Sequence, residues 1–285
     1  MSAPAWYPAI EAALGRAPHR HQPLSGGCIA AVYRLDMAGG ETLVAKFGTA
    51  PAHIELEAWM LRYLTEHSRL PVPHVVHAEG DLLIMEWLAG GDALDAAAQG
   101  HAAELLADLH GITSDSFGLE RDTIIGSLDQ PNPRGPSWIA FFRDHRLLYM
   151  AQEAQASGRL PASIHTRIER LAERLDDLLD EPDRPALIHG DMWTGNVLAR
   201  GGRVTGFVDP ALCYADAEIE LAFATLFGTF GTPFFRRYGE IRPLRPGFFE
   251  VRRDIYNLWP LLVHVQLFGS AYLDGIDRVL SHHGL

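Results

Sequence analysis

A short polar stretch in the second half of the chain, together with one later carboxylate, constrains this sequence more than any other feature. The stretch reads His189-Gly190-Asp191-Met192-Trp193-Thr194-Gly195-Asn196, and the later carboxylate is Asp209. Between them, a Gly201-Gly202 pair separates two mainly apolar segments, a pattern that predicts a β-hairpin with a tight turn. With pairing centred on that turn, position 196 faces 207 and position 194 faces 209. The hairpin is therefore expected to bring Asp191, Asn196 and Asp209 together.

The three side chains predict a particular chemistry at that point. Amide and carboxylate oxygens are ligands that Mg²⁺ prefers, so Asn196 and Asp209 are predicted to hold the metal. A second carboxylate beside them, Asp191, can accept the proton of an attacking hydroxyl. Each residue alone is typical of a turn or a strand end, but their spacing resembles a kinase catalytic loop followed by its metal-binding Asp.

Composition narrows the class of protein. A chain of 285 residues buries a substantial core as one large domain or two small ones. The formal charge of −12 argues against nucleic acid or an anionic membrane as the main partner. Only two cysteines, Cys28 and Cys213, argue against a disulfide framework and favour a reducing cytoplasm. The first residues do not resemble a signal peptide.

The first third of the chain is predicted to consist mainly of strands with one helix. Segments 29–35 and 41–47 resemble a hairpin, and in the second segment Val44 and Lys46 face away from Leu43 and Ala45. A helix is predicted over 52–67. On that helix Glu57 lies on an apolar stripe, and a buried carboxylate requires a cation, for which Lys46 is the obvious candidate.

The remainder is predicted to be mainly helical. A buried strand over 82–88 is followed by a hinge ending at Asp92, which is expected to cap the next helix. Three apolar stripes predict helices, one of them running from Ile164 to Leu179. An uncharged segment, 255–273, is too polar to span a membrane and is predicted to be a buried helix kinked or broken at Pro260.

These patterns predict an α+β fold with two lobes. The small, β-rich N-lobe covers residues 1–88, and the larger, mainly helical C-lobe covers residues 89–285. Ligands favour the crevice between such lobes.

Motifs spread over nearly the whole length resemble the fructosamine/ketosamine kinase family, within the group of aminoglycoside and choline kinases that share the protein-kinase-like fold. The catalytic loop identifies the broad group. Other segments narrow it to the ketosamine kinases; they include Trp138 with Phe141-Phe142, Asp209-Pro210-Ala211, Leu226-Phe227-Gly228 and Pro260-Leu261-Leu262-Val263-His264.

The resemblance implies an activity: ATP-dependent phosphorylation of the 3-hydroxyl of a sugar joined to an amine through an Amadori linkage. The substrate is then a small-molecule or protein-linked ketosamine, such as a ribulosamine or a fructosamine. The 3-phosphate leaves spontaneously with the sugar part and frees the amine, so the biological role is deglycation.

The resemblance also implies roles for individual residues. Asp191 is the general base, Asn196 and Asp209 hold Mg²⁺, and Trp193 stacks on the sugar. Lys46, held by Glu57, contacts the phosphates of ATP. Further nucleotide contacts are expected from Ser25, Gly26, Gly27, Met85, Glu86, Trp87 and Leu88. Cys28, beside the glycine loop, is expected to be a redox-sensitive thiol.

Two departures from the family pattern stand after the metal-binding Asp. Ala217 replaces an Arg and Glu220 replaces an Asp, which puts substrate contacts or the support of the metal loop in question. Two alternative functions remain: another small-molecule kinase of the aminoglycoside and choline kinase group, or a nucleotide-binding pseudokinase. Neither the preferred sugar and amine nor the oligomeric state follows from the sequence.

Overall fold

The first part of the chain forms a five-stranded antiparallel sheet with two helices. The structure, a computed structural model, describes residues 4, 6–24, 30–48 and 50–285. The strands, in the spatial order β1-β2-β3-β5-β4, are β1 (Pro18–Pro23), β2 (Ala31–Met37), β3 (Thr42–Phe47), β4 (Val75–Glu79) and β5 (Leu82–Glu86). The helices are α1 (Tyr7–Leu14) and α2 (Pro51–His67).

The two faces of this sheet bury different helices, as the alternation of apolar residues predicts. Leu43 and Ala45 on β3 pack with Ile10 of α1 in a small separate core. Val44, on the opposite face, belongs to the main core together with Ile54 of α2. Because side chains alternate along a strand, Lys46 shares the face of Val44 and points towards α2.

The rest of the chain is mainly helical, with three two-stranded ribbons. The helices are α3 (Ala96–Leu109), α4 (Trp138–Phe142), α5 (Tyr149–Ala156), α6 (Ala162–Ala172), α7 (Leu175–Leu178), α8 (Ala217–Leu226), α9 (Thr232–Ile241), α10 (Arg253–Phe268) and α11 (Leu273–His282). The ribbons pair β6 (Thr123–Ile125) with β7 (Leu128–Gln130), β8 (Ala186–Ile188) with β11 (Cys213–Ala215), and β9 (Val197–Arg200) with β10 (Arg203–Phe207). Segments of π-helix, Arg143–Leu148 and Phe248–Arg252, precede α5 and α10.

Three local predictions require correction. Asp95, and not Asp92, caps α3 by accepting a hydrogen bond from Ala98 N, whereas the Asp92 carboxylate accepts from Gly201 N at the hairpin turn. The stripe that was predicted as one helix is divided between α6 and α7, because the backbone leaves helical geometry at Arg174 (φ −113°, ψ 9°). A break at Pro260 is excluded, since α10 continues through it with its neighbours buried in the core.

Helix α2 is fastened to the helical part of the molecule as well as to the sheet. The Tyr63 and Tyr214 hydroxyl groups are 3.2 Å apart, and the Arg121 guanidinium lies 5.0 Å from the centre of the Trp59 ring. These contacts fix the helix that carries Glu57. Within the described ranges, no helix combines the length and the apolar character needed to cross a bilayer.

Candidate active site

The loop that carries Asp191 is positioned by the short ribbon of β8 and β11. Ile188 pairs with Cys213, and Ala211 N donates a 2.7 Å hydrogen bond to His189 O. Gly190 is in the left-handed region with φ +88°, and a Cβ there would lie 1.9 Å from the carbonyl oxygen of Ala211. The two segments can therefore approach this closely only with glycine at position 190.

The hairpin of β9 and β10 is shifted by one residue from the predicted register. Val197 pairs with Phe207, and Val208 N donates to Asn196 O at 3.0 Å, so position 196 lies beside 208 and not 207. The cause is an irregularity at Thr205, whose hydroxyl turns away to donate to Ala89 O at 2.5 Å. A bulge of this kind inserts one unpaired residue and displaces the register beyond it.

Asp191 and Asn196 are in direct contact, as the spacing predicts. Asn196 Nδ2 donates to the Asp191 carboxylate Oδ2 at 2.8 Å and to the Asp191 carbonyl at 2.9 Å. Both amide hydrogens are therefore used to fix the loop, which leaves the amide oxygen of Asn196 as an acceptor.

Lys46 bridges two carboxylates from different parts of the fold. Its Nζ lies 2.7 Å from Glu57 Oε2 on α2 and 2.8 Å from Asp209 Oδ1 beyond the hairpin. The Lys46–Glu57 contact confirms the pairing predicted from the apolar stripe. Among the described residues, Asp209 is the one non-glycine residue with positive φ, at 52°. Such backbone strain is found at functional sites held by the surrounding structure.

Burial and neighbouring charges shift the pKa values of the charged side chains in the site. Burial disfavours the charged form of Lys46, but Asp209 and Glu57 outweigh it and raise the pKa of Lys46 above its ordinary value. Burial raises the pKa of Glu57, whereas Lys46 lowers the pKa of Asp209 in spite of its desolvation. Desolvation and the neighbouring charge of Asp209 raise the pKa of Asp191 to about 7. A carboxyl group in this range is suited to exchanging a proton near neutral pH.

A cavity of about 200 Å³ contains these side chains. Its lining includes Lys46, Glu57, Asp191, Asn196 and Asp209, so the structure brings the predicted polar residues to one place. Trp193 lines the same cavity, and its ring covers Gly195, where a Cβ would approach it to 2.4 Å.

Other predicted nucleotide contacts do not line this cavity. Met85 is buried, and Glu86 accepts a hydrogen bond from His74 N. The Arg34 guanidinium lies 5.0 Å from the centre of the Trp87 ring, and Leu88 packs on Gly206 of β10. Four further predicted residues, Ser25, Gly26, Gly27 and Cys28, lie outside the described residues.

The support that Glu220 gives to the site was not predicted from the sequence. Glu220 is fully buried and accepts hydrogen bonds from Gly190 N at 2.7 Å and from the His110 ring at 2.8 Å. The other ring nitrogen of His110 accepts from the Tyr238 hydroxyl at 2.7 Å. The departure at position 220 was the available signal. Glu220 therefore supports the loop that carries Asp191.

The donor set fits a magnesium ion. Asn196 and Asp209 present amide and carboxylate oxygens, which hard divalent cations prefer. No group of three or more His, Cys, Asp or Glu side chains that could hold a metal is found in the part of the chain that the structure describes. Two protein ligands suffice for Mg²⁺ when phosphate oxygens and water complete its shell.

Comparisons with known proteins agree with this geometry. The family model described as "Fructosamine kinase" matches residues 6–283. A Synechocystis protein named probable ketoamine kinase is 35% identical over 90% of this chain and 88% of its own length. The Arabidopsis thaliana chloroplastic protein-ribulosamine 3-kinase is 34% identical over 91% of this chain and 81% of its own length.

Solved structures give the same result. A candidate fructosamine-3-kinase from Thermobifida fusca superimposes with a TM-score of 0.86 at 30% identity, covering 99% of this chain and all of that one (100%). An aminoglycoside phosphotransferase, at 17% identity and a TM-score of 0.66 over 97% of this chain and 99% of that one, shares the fold. The α+β protein-kinase-like fold is thereby confirmed, and the chain belongs to the fructosamine kinase family of ATP-dependent kinases.

Proposed function

We propose that this enzyme transfers the γ-phosphoryl group of ATP to the 3-hydroxyl of a ketosamine of the ribulosamine or fructosamine type. The main support for this activity is that two pairs of contacting side chains line the same cavity. Asp191 contacts Asn196 at 2.8 Å, and Lys46 contacts Asp209 at 2.8 Å. The names of the family and of the relatives support the choice of acceptor.

Asp191 acts as the general base in this proposal. Its carboxylate accepts a hydrogen bond from Asn196 at Oδ2, which orients the group and leaves the other oxygen to face the acceptor hydroxyl. As the hydroxyl attacks phosphorus, its proton passes to Asp191 and the bond to the leaving ADP breaks. The raised pKa of Asp191 makes this carboxylate a stronger base than an exposed one.

The remaining polar residues are assigned to the metal and the nucleotide. Asn196 and Asp209 would hold Mg²⁺, which would neutralise phosphate charge. Lys46, which Glu57 holds at 2.7 Å, would bring its ammonium group to the α- and β-phosphates. Adenine is assigned to the backbone of 85–88, and the phosphates to the loop of Ser25, Gly26 and Gly27. Trp193, which lines the same cavity, is assigned to stack on the sugar.

The two predicted lobes are assigned different roles, and the reaction is assigned a biological role. Residues 1–88 bind the nucleotide, and residues 89–285 supply the catalytic loop and the acceptor site. The 3-phosphorylated sugar is eliminated and the amine is released, which reverses glycation. A reducing cytoplasm as the place of action remains a prediction from the two cysteines, and the redox role of Cys28 remains a prediction from the resemblance to the family.

The test is to incubate the enzyme with Mg-ATP and a ribulosamine and to follow the products by ³¹P NMR, with an assay for the freed amine. A 3-phosphorylated ketosamine followed by amine release supports the proposal. Phosphorylation only of an aminoglycoside, choline or an unmodified sugar assigns the enzyme to another branch of the kinase group. Nucleotide binding without turnover of any acceptor identifies a pseudokinase.

A further inference from the structure

Six uncharged residues that line the cavity beside Asp191 come from the part of the chain that follows β5. We call this set the acceptor wall: Ile124, Ser127, Trp193, His264, Leu267 and Phe268. Burial lowers the pKa of His264, so its ring is neutral at physiological pH. Its Nδ1 donates a 2.7 Å hydrogen bond to the Pro260 carbonyl. The wall therefore presents apolar and aromatic surface and a neutral imidazole.

Three of the four charged side chains that are described in the cavity lining form ion pairs with one another. Of the carboxylates that line it, Glu57 and Asp209 both contact Lys46, at 2.7 and 2.8 Å. Asp191 is the one carboxylate among the described lining residues that has no cationic partner. An acceptor can therefore place one ammonium group near Asp191, but a second would lie against the acceptor wall without a counter-charge.

Phe268 is the most exposed part of this wall. Its side chain lines the cavity, yet 46% of the residue's surface is open to solvent. Within the described part of the chain few large apolar side chains are this exposed, and Phe249, at 42%, is a counterpart that does not line the cavity. Because Phe268 lines a cavity, its exposed ring is available for a ligand to cover with an apolar substituent.

We propose that the acceptor wall selects the amine part of the substrate: the enzyme favours ketosamines of neutral alkyl or aryl amines and disfavours those whose amine part carries a second positive charge. This inference rests on the proposed ketosamine 3-kinase activity. The sugar reaches Asp191, and the substituent on the Amadori nitrogen extends along the wall and covers Phe268. Transfer of apolar surface out of water provides the preference.

The experiment compares three ribulosamines that differ only in the amine. They are the adduct of methylamine, the adduct of benzylamine, and the mono-adduct of 4-(aminomethyl)benzylamine, which adds one ammonium group to the same ring. We expect kcat/KM for the benzylamine adduct to exceed that of the methylamine adduct by about tenfold, in the range that apolar pockets provide. The cationic adduct is expected to fall below the benzylamine adduct by a similar factor.

A pair of variants locates the effect. Phe268→Ala should lower kcat/KM for the benzylamine adduct towards that of the methylamine adduct, so that the ratio of the two values falls towards one. The matched control, Phe249→Ala, removes an equally exposed ring outside the cavity and should change neither value. Thermal melting of both variants verifies that they are folded.

The outcomes separate this inference from the proposed function. Equal kcat/KM values for all three adducts, or a preference for the cationic adduct, overturn the selection by the acceptor wall and leave the kinase activity standing. An unchanged ratio in Phe268→Ala overturns it as well. Absence of turnover with all three adducts overturns the proposed function, and this inference with it.

Discussion

Glu220 accepts a 2.7 Å hydrogen bond from the backbone N–H of Gly190, the residue immediately before Asp191. Its second carboxylate oxygen accepts from His110, whose other ring nitrogen contacts Tyr238. A buried chain of hydrogen bonds thus runs from helix α9 through α3 and α8 to the catalytic loop. Because each member is satisfied, the chain holds the loop in one position before any ligand binds.

The substitution Glu220→Gln is expected to lower kcat by about tenfold, because an amide cannot accept both hydrogen bonds and the loop loses its fixed position. Nucleotide affinity should change little, since Glu220 does not line the cavity. Steady-state kinetics and nucleotide titration measure the two effects. Glu240→Gln, at an exposed ion pair with Arg237, is the matched control and should leave both values unchanged. A wild-type kcat in Glu220→Gln would contradict the positioning role.

The raised pKa of Asp191 predicts a pH-dependent stability in the enzyme without nucleotide. The folded state binds the Asp191 proton more tightly than the unfolded state, because burial and the Asp209 charge raise the pKa of Asp191 from its ordinary value of 3.8 to about 7. The associated stability is therefore present at low pH and is lost as pH rises through about 7. Asp191→Asn removes this loss.

Between pH 6 and 8.5, the stability of Asp191→Asn should improve relative to wild type by about 1 kcal/mol, a value reduced for the partial exposure of the group. Chemical denaturation at the two pH values, without Mg²⁺ or nucleotide, measures this difference. A difference between variant and wild type that is the same at both pH values would mean that Asp191 titrates normally.

Asp209 should set the magnesium requirement. Asp209→Asn removes a charged oxygen ligand, so the Mg²⁺ concentration for half-maximal activity is expected to rise by about tenfold or more. Asp115→Asn, at an exposed loop position, is the control. Titration of MgCl₂ at fixed ATP measures the shift. An unchanged magnesium midpoint in Asp209→Asn would remove this residue from the metal site.

Helix α2 offers a test of the contact between the two parts of the molecule. Tyr63→Phe removes the 3.2 Å contact with Tyr214 and should cost about 1 kcal/mol of stability. It should also raise the KM for ATP, because α2 carries Glu57, which holds Lys46. Tyr7→Phe removes a comparable 3.2 Å contact with His21, between α1 and β1, and should affect stability alone. Equal KM values in the two variants would argue against a link between the contact and the site.

The sequence predicted the fold and the polar residues of the site because their signals are local. Alternating apolar residues placed Val44 opposite Leu43, and the apolar stripe of α2 indicated the burial of Glu57. The spacing of the catalytic loop predicted the contact between Asp191 and Asn196. These patterns depend on the repeat of side chains along a strand or a helix, and that repeat is the same whatever the tertiary contacts of the element.

The remaining details depend on contacts between distant parts of the chain. The hairpin register shifts by one residue at Thr205, whose hydroxyl donates to Ala89 O, and no pattern in the hairpin itself indicates this contact. Asp95 rather than Asp92 caps α3, since Asp92 is used at the Gly201 turn. The role of Glu220 requires the approach of α8 to the catalytic loop, and this was visible only in the folded structure.

Asp191 is proposed to take the proton of the acceptor hydroxyl. A single-turnover reaction of Asp191→Asn with a ribulosamine tests this role, together with calorimetric titration of the same variant with Mg-bound nucleotide. Phosphoryl transfer is expected to slow by about a thousandfold while the nucleotide Kd stays close to that of the wild type. Transfer at the wild-type rate by Asp191→Asn, with nucleotide bound normally, would contradict it.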